Sequence, residues 1–431
     1  MEQRTAVVGF GCAGFHAVKA MREHGYEGAI DVYTDSGWAP ANPMLTTYYI
    51  YGKLPKEGSL PFGTLEELAA QYRFRALVDP VKRVLSREKG LLLESGEVRG
   101  YDRILISTGA GAFVPPIPGA DGARVFVMRT IEDAEAVKQA LEAGEIGRAV
   151  VVGASMVGIK LVELLHARKV KCTLADMAPG IFPVSAVPGV AREIERRLER
   201  MGVDLAFSKG LSAIEEDHGA LNVVFADGEK IPCDAVMMCI GTRANTGVAD
   251  EGIAVNRGIV VDTGMRTSAP DIYSAGDCCE GNNLQTGKTQ IIGIWDNAAR
   301  QGTTAGINMA GGDSVYDGNM LHNITHFMGM DFIGYGDVRA EGTDHVYEDR
   351  ERGQMFAVRL RDGVPVCMNL LDSYGASGVF KSYMLQKIGG KPGGLSPVAR
   401  VRMIREGVPE KLIELLTDGQ PNNPRSCAEQ G

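Results

Sequence analysis

The chain has 431 residues, enough for about three domains at roughly 150 residues each. Hydrophobic residues make up 45% and charged residues 23%, the balance of a folded globular protein, which excludes a fibrous or disordered chain. Asp plus Glu number 54 against 45 Lys plus Arg, and the resulting net charge of −9 lacks the basic footprint of a nucleic-acid binder.

In chain order the first feature is an apolar run that ends in a glycine turn, T-A-V-V-G-F-G-C-A-G over residues 5–14. A helical pattern follows, then a second apolar strand closing on an acid, A-I-D-V-Y-T-D, at Asp35. The same design returns at residues 148–158, R-A-V-V-V-G-A-S-M-V-G, and its second strand, V-K-C-T-L-A-D, closes at Asp176. Gly9 to Gly153 and Gly14 to Gly158 are both offset by 144 residues, so the chain contains an internal repeat. The acids lie 21 and 18 residues beyond the last glycine of each turn. Strand, G-x-G-x-x-G turn, helix, strand and acid make the dinucleotide fingerprint in its required context. Its glycines form the turn, admit a pyrophosphate to the backbone and let helix pack on strand. The helix N-terminus supplies free N–H groups and a positive dipole end for the phosphates. Gly9, Gly11 and Gly14 complete the first copy; the second has Gly153, Ser155 and Gly158, with serine at the middle position. After Asp176 come Met177, Ala178 and Pro179, with no adjacent cation for a 2′-phosphate, which favours NADH over NADPH. Further on, I-Y-S-A-G-D reads as a strand ending in Gly276 and Asp277. Residues 354–371 fit a hairpin around Arg361-Asp362-Gly363, and 409–416 an amphipathic helix; the tail from Asp418 reads as mobile. The residues before the first strand lack the pattern of a signal peptide, and no run reaches about 18 apolar residues, so no membrane span is expected. The eight cysteines form no C-x-x-C pair and no metal or cluster spacing. They read as reduced thiols, with a cytoplasmic location and no metal site expected.

With these motifs the chain resembles the FAD- and NAD(P)H-dependent pyridine nucleotide oxidoreductases, the superfamily of glutathione reductase, ferredoxin reductases and NADH oxidases. I-S-T-G (106–109), P-P-I-P-G (115–119) and C-I-G-T-R-A-N-T (239–246) also match, and the likeness spans about residues 4–390. The resemblance implies an α/β fold with two Rossmann-like, three-layer ββα nucleotide-binding domains and a C-terminal α+β interface domain. The FAD domain would take residues 1–117 and 245–312, the NAD(H) domain 118–244 and the interface domain 313–431. Residues 323–337 look like that domain in the flavin part of NADH-dependent nitrite reductases, and would make it an oligomer interface. Gly9, Gly11, Gly14, Asp35, Thr108, Gly109, Gly276 and Asp277 would bind FAD, with Asp277 on the ribityl chain. Gly153, Ser155, Gly158, Asp176 and Gly241 would bind NAD(H). The family places the N-terminus of the helix from Trp295 at the flavin pyrimidine edge, where its dipole would stabilise the reduced flavin. Trp295 itself reads equally as a flavin neighbour or a core residue.

The departures from the family matter as much. Disulfide reductases carry C-x-x-x-x-C after the first acidic strand, and related NADH oxidases keep one cysteine in an A-N-C-G-L-P-type run. Residues 35–53 here hold no cysteine, and Pro43 takes that place. Relatives also pair a lysine at the flavin with a glutamate after the second glycine turn; the matching positions are Thr47 and Lys160. Lys160 becomes a candidate charge at the nicotinamide or flavin, or a solvated helix lysine. Tyr48 becomes a candidate on the acceptor side. Cys278 and Cys279 invite a vicinal redox pair, but adjacent cysteines make a strained disulfide and packing is the preferred reading. His322 and His326 read as structural or surface residues flanking an interface-domain helix.

The leading expectation is an FAD-containing NADH:acceptor oxidoreductase. It would exchange electrons with a ferredoxin, a rubredoxin or an iron–sulfur or metal subunit. A stand-alone NADH oxidase or small-molecule reductase, and a non-catalytic flavin-bound structural or redox-sensing protein, are the alternatives.

Overall fold

The computed structural model describes residues 3–217, 219–390 and 394–418, so the rest of the tail beyond Asp418 lies outside the described residues. By internal contact the chain forms two compact units, Met1–Gly147 with Asp234–Asn319, and Arg148–Cys233 with Met320–Gly431.

The first unit opens with β1 (Arg4–Val8), α1 (Cys12–Glu23) and β2 (Ala29–Tyr33). A connecting segment carries α2 (Thr46–Ile50), α3 (Leu65–Tyr72) and β3 (Arg75–Leu77). α3 starts on a capping box in which Thr64 and Glu67 satisfy each other's backbone N–H groups. β4 (Val81–Leu85), β5 (Gly90–Leu93) and β6 (Val98–Gly100) form a small antiparallel sheet before β7 (Arg103–Ile106). β8 (Ala110–Ala112) and β9 (Val125–Phe126) lead to α4 (Ile131–Glu142), which begins on a second capping box, Thr130 with Asp133.

In the second unit β10 (Arg148–Val152), α5 (Met156–Ala167), β11 (Lys171–Ala175), α6 (Pro188–Arg200) and β12 (Asp204–Ala206) repeat the strand–helix–strand design. β10 pairs β11, and β11 pairs β12, in parallel. β13 (Leu211–Asp217), β14 (Ala220–Phe225) and β15 (Lys230–Cys233) follow as an antiparallel sheet. The chain then returns to the first unit through β16 (Ala235–Met238), parallel to β9, and β17 (Thr242–Ala244), antiparallel to β8. β18 (Ile259–Val260), β19 (Ile272–Ser274), β20 (Cys279–Asn282), β21 (Thr289–Gln290) and α7 (Trp295–Met309) complete that unit.

Its main sheet is wholly parallel, in the order β19-β7-β1-β2-β3. β1, β7 and β19 are near-continuous apolar runs, as strands covered on both faces must be. α1 and α7 pack against each other unusually closely. A Cβ at Gly302 would lie 2.2 Å from the Ala13 carbonyl oxygen, and one at Gly306 2.3 Å from that of Ala17. The Gly-x-x-x-Gly spacing of α7 is therefore a packing requirement, and it sets the N-terminal end of α7 beside the first glycine turn.

The C-terminal part of the second unit is a five-stranded antiparallel sheet, β22-β23-β26-β25-β24 in order. Its strands are β22 (His322–Phe327), β23 (Met330–Gly336), β24 (Thr343–Asp349), β25 (Gln354–Arg361) and β26 (Val364–Leu371). The expected hairpin at 354–371 is there, turning through Asp362 and Gly363 at φ 52° and 74°. The histidines correct the helix expectation: His322 and His326 lie on β22. H-N-I-T-H-F alternates in burial, and Met328-Gly329, both at positive φ, turns the strand directly into β23. α8 (Ser377–Ile388), α9 (Pro397–Arg405) and α10 (Glu410–Asp418) follow the sheet. Phe380, Met384, Met403, Leu412 and Ile413 join Ile333, Phe356 and Leu370 in one buried core.

Candidate functional site

The two glycine turns share one skeleton. Gly9 N–H donates to Tyr33 O at 2.9 Å and Gly153 N–H to Ala175 O at 2.7 Å. Both residues need positive φ, 91° and 110°, which glycine adopts without cost. A Cβ on Gly14 would lie 2.5 Å from Gly9 O, and one on Gly158 2.0 Å from Gly153 O, so each helix rides directly on its strand. A Cβ on Gly11, by contrast, would meet nothing within 4 Å.

Their polar chemistry differs. Gly11 caps α1 with no side chain, so the first-turn N–H groups have no side-chain acceptor at the cap. Ser155 caps α5, its hydroxyl accepting from Gly158 N–H at 3.2 Å. Asp176 accepts from Ala154 N–H at 2.7 Å and Ala178 N–H at 2.8 Å, tying the strand end to its own glycine turn. The strand registers also place the acids differently. Thr34 N–H donates to Leu77 O at 3.0 Å just as Asp176 N–H donates to Ala206 O at 3.1 Å. Thr34, buried, therefore occupies the place of Asp176, and Asp35 lies one residue further along and is exposed.

Around the first turn, β19 delivers Gly276 and Asp277. Gly276 N–H donates to the Gln301 side chain of α7 at 2.9 Å. Asp277 receives Arg129 Nη2 at 2.6 Å, and Arg129 Nε donates to Ala110 O at 2.9 Å. Thr108 Oγ1 donates to Asn245 O at 2.6 Å, and Asn245 Nδ2 to Thr108 O at 3.0 Å, closing a clasp that holds Gly109 at φ 67°. Trp295, half-buried, begins α7; its ring lies 6.1 Å from that of Phe62, which stacks on Phe15 at 4.1 Å. Cys12 Sγ donates to Trp295 O at 3.4 Å. Burial, then Asp277 and Asp296, push the Cys12 thiol up to about 12, so it stays protonated at neutral pH.

The segment from Ser36 to Phe62 is moored on α4. Trp38 Nε1 donates to Glu132 at 2.6 Å, Tyr49 OH donates to Glu135 at 2.7 Å, and Lys56 reaches Glu135 at 2.8 Å. The bond to Glu135 lifts Tyr49 to about 12. Tyr48, half-buried on α2, has Lys53 Nζ 5.6 Å from its ring centre. Pro43 stands at the start of a 3-10 turn that Asn42 caps, and Met44 beside it is 52% exposed.

A family model described as Pyridine nucleotide-disulphide oxidoreductase matches residues 3–302. The chain belongs to this family. It is an FAD-dependent oxidoreductase that works with a pyridine nucleotide. It is 29% identical over 320 residues to an NADH oxidase of Methanocaldococcus jannaschii, covering 73% of this chain and 71% of that one. It is 28% identical over 366 residues to a biphenyl dioxygenase system ferredoxin–NAD(+) reductase component of Paraburkholderia xenovorans, covering 83% and 87%. Among solved structures, a water-forming NADH oxidase from Lactobacillus brevis shares the fold at a TM-score of 0.83 and 22% identity, covering 90% and 91% of the two chains.

The residues of the oxidoreductase fit a dinucleotide at the first turn. The backbone is open at Gly11, the helix above it has no side-chain cap, and Thr34 and Asp35 close the strand beyond. The FAD-assigned residues Gly9, Gly11, Gly14, Asp35, Thr108, Gly109, Gly276 and Asp277 all lie in the first unit, with Tyr48 and Trp295. Of the NAD-assigned residues, Gly153, Ser155, Gly158 and Asp176 lie in the second unit and Gly241, at φ 116°, in the first. Lys160, also in the second unit, is paired with Glu163 and donates to His326 O at 2.8 Å. Glu163 in turn accepts from Met328 N–H at 3.2 Å, so the pair pins α5 to the β22–β23 turn. Cys278 and Cys279 are fully buried free thiols whose pKa burial raises. Ser274 Oγ and the carbonyls of Ile106 and Ala275 surround Cys278 Sγ, whereas Gly276 O and Gln301 surround that of Cys279. Among the described residues no group of three or more His, Cys, Asp or Glu could hold a metal ion, and no helix is long and apolar enough to cross a membrane.

Two residues escaped the sequence reading. Arg129 pairs with Asp277 from 148 positions away, and no local pattern announces it. Thr34 stands in the strand position of Asp176, which the strand pairing shows and the spacing from the glycines does not.

Proposed function

We propose that the chain is an FAD-containing NADH:acceptor oxidoreductase that exchanges electrons with a separate carrier protein. The observation that carries this reading is a complete FAD-type turn in the same unit as a segment with no thiol: residues 35–53 hold no cysteine, and Pro43 takes its place. Bound flavin supplies a two-electron centre that accepts hydride and can release single electrons. The α1 N-terminus and the Gly9–Gly14 turn hold its pyrophosphate, with Thr34 and Asp35 at the adenosine ribose. Arg129 fixes the Asp277 carboxylate, which would accept hydrogen bonds from ribityl hydroxyls, and the N–H groups of the α7 N-terminus would favour negative charge on the reduced flavin. In the second unit Ser155 and Asp176 receive the nicotinamide dinucleotide. Asp176, followed by Met177 (80% exposed), Ala178 and Pro179, favours a free 2′-hydroxyl over a 2′-phosphate, hence NADH. The ferredoxin reductase component among the relatives supports a carrier protein as acceptor or donor. All seven described cysteines are free, which supports a reducing compartment such as the cytoplasm.

The test is an anaerobic NADH titration followed at the flavin band near ~450 nm, then addition of ferredoxins and rubredoxins. One NADH should bleach one flavin, and a carrier should reoxidise it. Uptake of a second equivalent would place a hidden thiol pair in the path, with Cys278 and Cys279 the first suspects. Failure with every carrier, alongside fast turnover on oxygen, would leave a stand-alone oxidase.

A further inference from the structure

The 33 residues from Ser373 to Arg405 contain no Asp or Glu and six cations, Lys381, Lys387, Lys391, Arg400, Arg402 and Arg405, in a chain whose net charge is −9. Three of the six fall on α9, P-V-A-R-V-R-M-I-R, which has no acid. α9 is held to the core of the second unit by Met403, which is fully buried, while Val398, Val401 and Ile404 are 79%, 66% and 56% exposed. Val398, Val401, Arg402 and Arg405 follow the i, i+3, i+4, i+7 spacing of one helix face. They line, with Pro397 and Glu406, a groove of about 680 Å³. The side chains of Lys381, Arg400, Arg402 and Arg405 have no hydrogen bond or ion pair among the described residues. Elsewhere in the unit guanidiniums are spent on carboxylates: Arg197 on Glu193 and Asp372, Arg359 on Asp344, Arg339 on Asp337.

We infer that the α9 face is the docking surface for an acidic electron-carrier protein. This rests on the electron-carrier reading above. Exposed aliphatics framed by unpaired arginines are the composition of a protein interface, in which an apolar centre excludes water and arginines pair with the partner's carboxylates. The charge decides the partner. An acidic chain repels an acidic carrier over most of its surface, and the basic stretch is where attraction overcomes that repulsion and raises the rate of encounter. A lipid surface fits less well, because membrane-lying helices anchor with Trp, Phe or Leu, and α9 offers β-branched aliphatics and no aromatic ring. The chain beyond α10 fits less well still, because residues 419–431 contain no large aliphatic or aromatic side chain for the groove.

The experiment compares the full-length flavoprotein with its Arg400→Glu/Arg402→Glu/Arg405→Glu variant, using NADH as donor and an acidic [2Fe–2S] ferredoxin as the probe. Ferricyanide serves as a small acceptor that needs no docking surface. The expected result is a KM for ferredoxin at least tenfold higher in the variant, with its salt dependence lost and the ferricyanide rate unchanged. Arg400→Gln/Arg402→Gln/Arg405→Gln, which removes charge without reversing it, should fall between the two. Unchanged ferredoxin KM in both variants, with ferricyanide turnover intact, overturns the docking surface and leaves the carrier reading standing. Wild-type protein that reduces ferricyanide but no ferredoxin overturns the carrier reading, and this partner with it. Two further results would reassign the face and overturn the proposal: dissociation of an oligomer by the substitutions, seen by sedimentation without ferredoxin, or loss of binding to vesicles with 30% phosphatidylglycerol at unchanged ferredoxin KM.

Discussion

The first and second glycine turns have the same backbone and opposite polar habits. Around Gly9 and Gly14 the helix start has no side-chain cap and the strand closes on Thr34 and an exposed Asp35. Around Gly153 and Gly158 the turn satisfies itself, with Ser155 capping the helix and Asp176 accepting from Ala154 and Ala178. On the proposed assignment of FAD to the first turn and NAD(H) to the second, the physical difference is occupancy. A turn that always holds a pyrophosphate can leave N–H groups for the ligand, since the ligand satisfies them. A turn that releases its dinucleotide every cycle must satisfy buried donors between visits, because an unmet one costs about 1–3 kcal/mol. The comparison teaches that the two repeats suit a resident flavin and an exchanging nicotinamide respectively.

The sharpest way to break this comparison is to close each turn in turn. Gly14→Val places a Cβ 2.5 Å from Gly9 O and should give protein with almost no flavin, read from the ratio of absorbance at ~450 nm to protein. Gly158→Val places one 2.0 Å from Gly153 O and should keep its flavin but lose reduction by NADH. Loss of flavin from both would show that the turns do not divide the work. Next in size is Arg129→Leu, which leaves Asp277 without its partner; FAD affinity should fall by about 1–3 kcal/mol, roughly five- to 150-fold, in a flavin-release titration. Asp176→Ala should raise the NADH KM about tenfold, the worth of a charge-assisted hydrogen bond, with flavin content unchanged. Ser155→Ala removes the helix cap and should cost about 0.5–2 kcal/mol in denaturant unfolding, whereas Ser155→Gly costs only a few tenths.

The smallest effect is on pH. Burial alone would raise Asp31, but Arg75, Tyr101 and Arg4 outweigh it and hold the carboxyl below the usual range. That stabilisation is present above the unfolded value of about 3.9 and is lost as pH falls through the folded value. The β11 position in the same register is Thr173, which cannot titrate. Asp31→Asn should therefore flatten the acid limb of stability measured between about pH 5 and 2.

Local order carried most of the fold into the sequence. Glycine turns, strand alternation and the Asp362-Gly363 turn are consequences of neighbouring residues, and periodicity exposes them. At His322 and His326, expected to flank a helix, the Met328-Gly329 turn decides for a hairpin. The acceptor segment was legible by what it lacks, a thiol at Pro43. The register of the strand end was not, because the link between α1 and β2 runs over residues 24–28, two residues longer than that between α5 and β11 over 168–170, so Thr34 stands in the place of Asp176 and Asp35 one residue beyond it.

By itself, the sequence determined the repeat, the cofactor class and the missing redox cysteine, because each rests on residues a few positions apart. Only the tertiary structure decided that Arg129 holds Asp277, that Lys160 and Glu163 pin α5 to a distant hairpin, and that the arginines of α9 have no carboxylate partner among the described residues. Apart from the i,i+3 pair of Lys160 and Glu163, these contacts join side chains brought together by packing from sequence distances that no local pattern records.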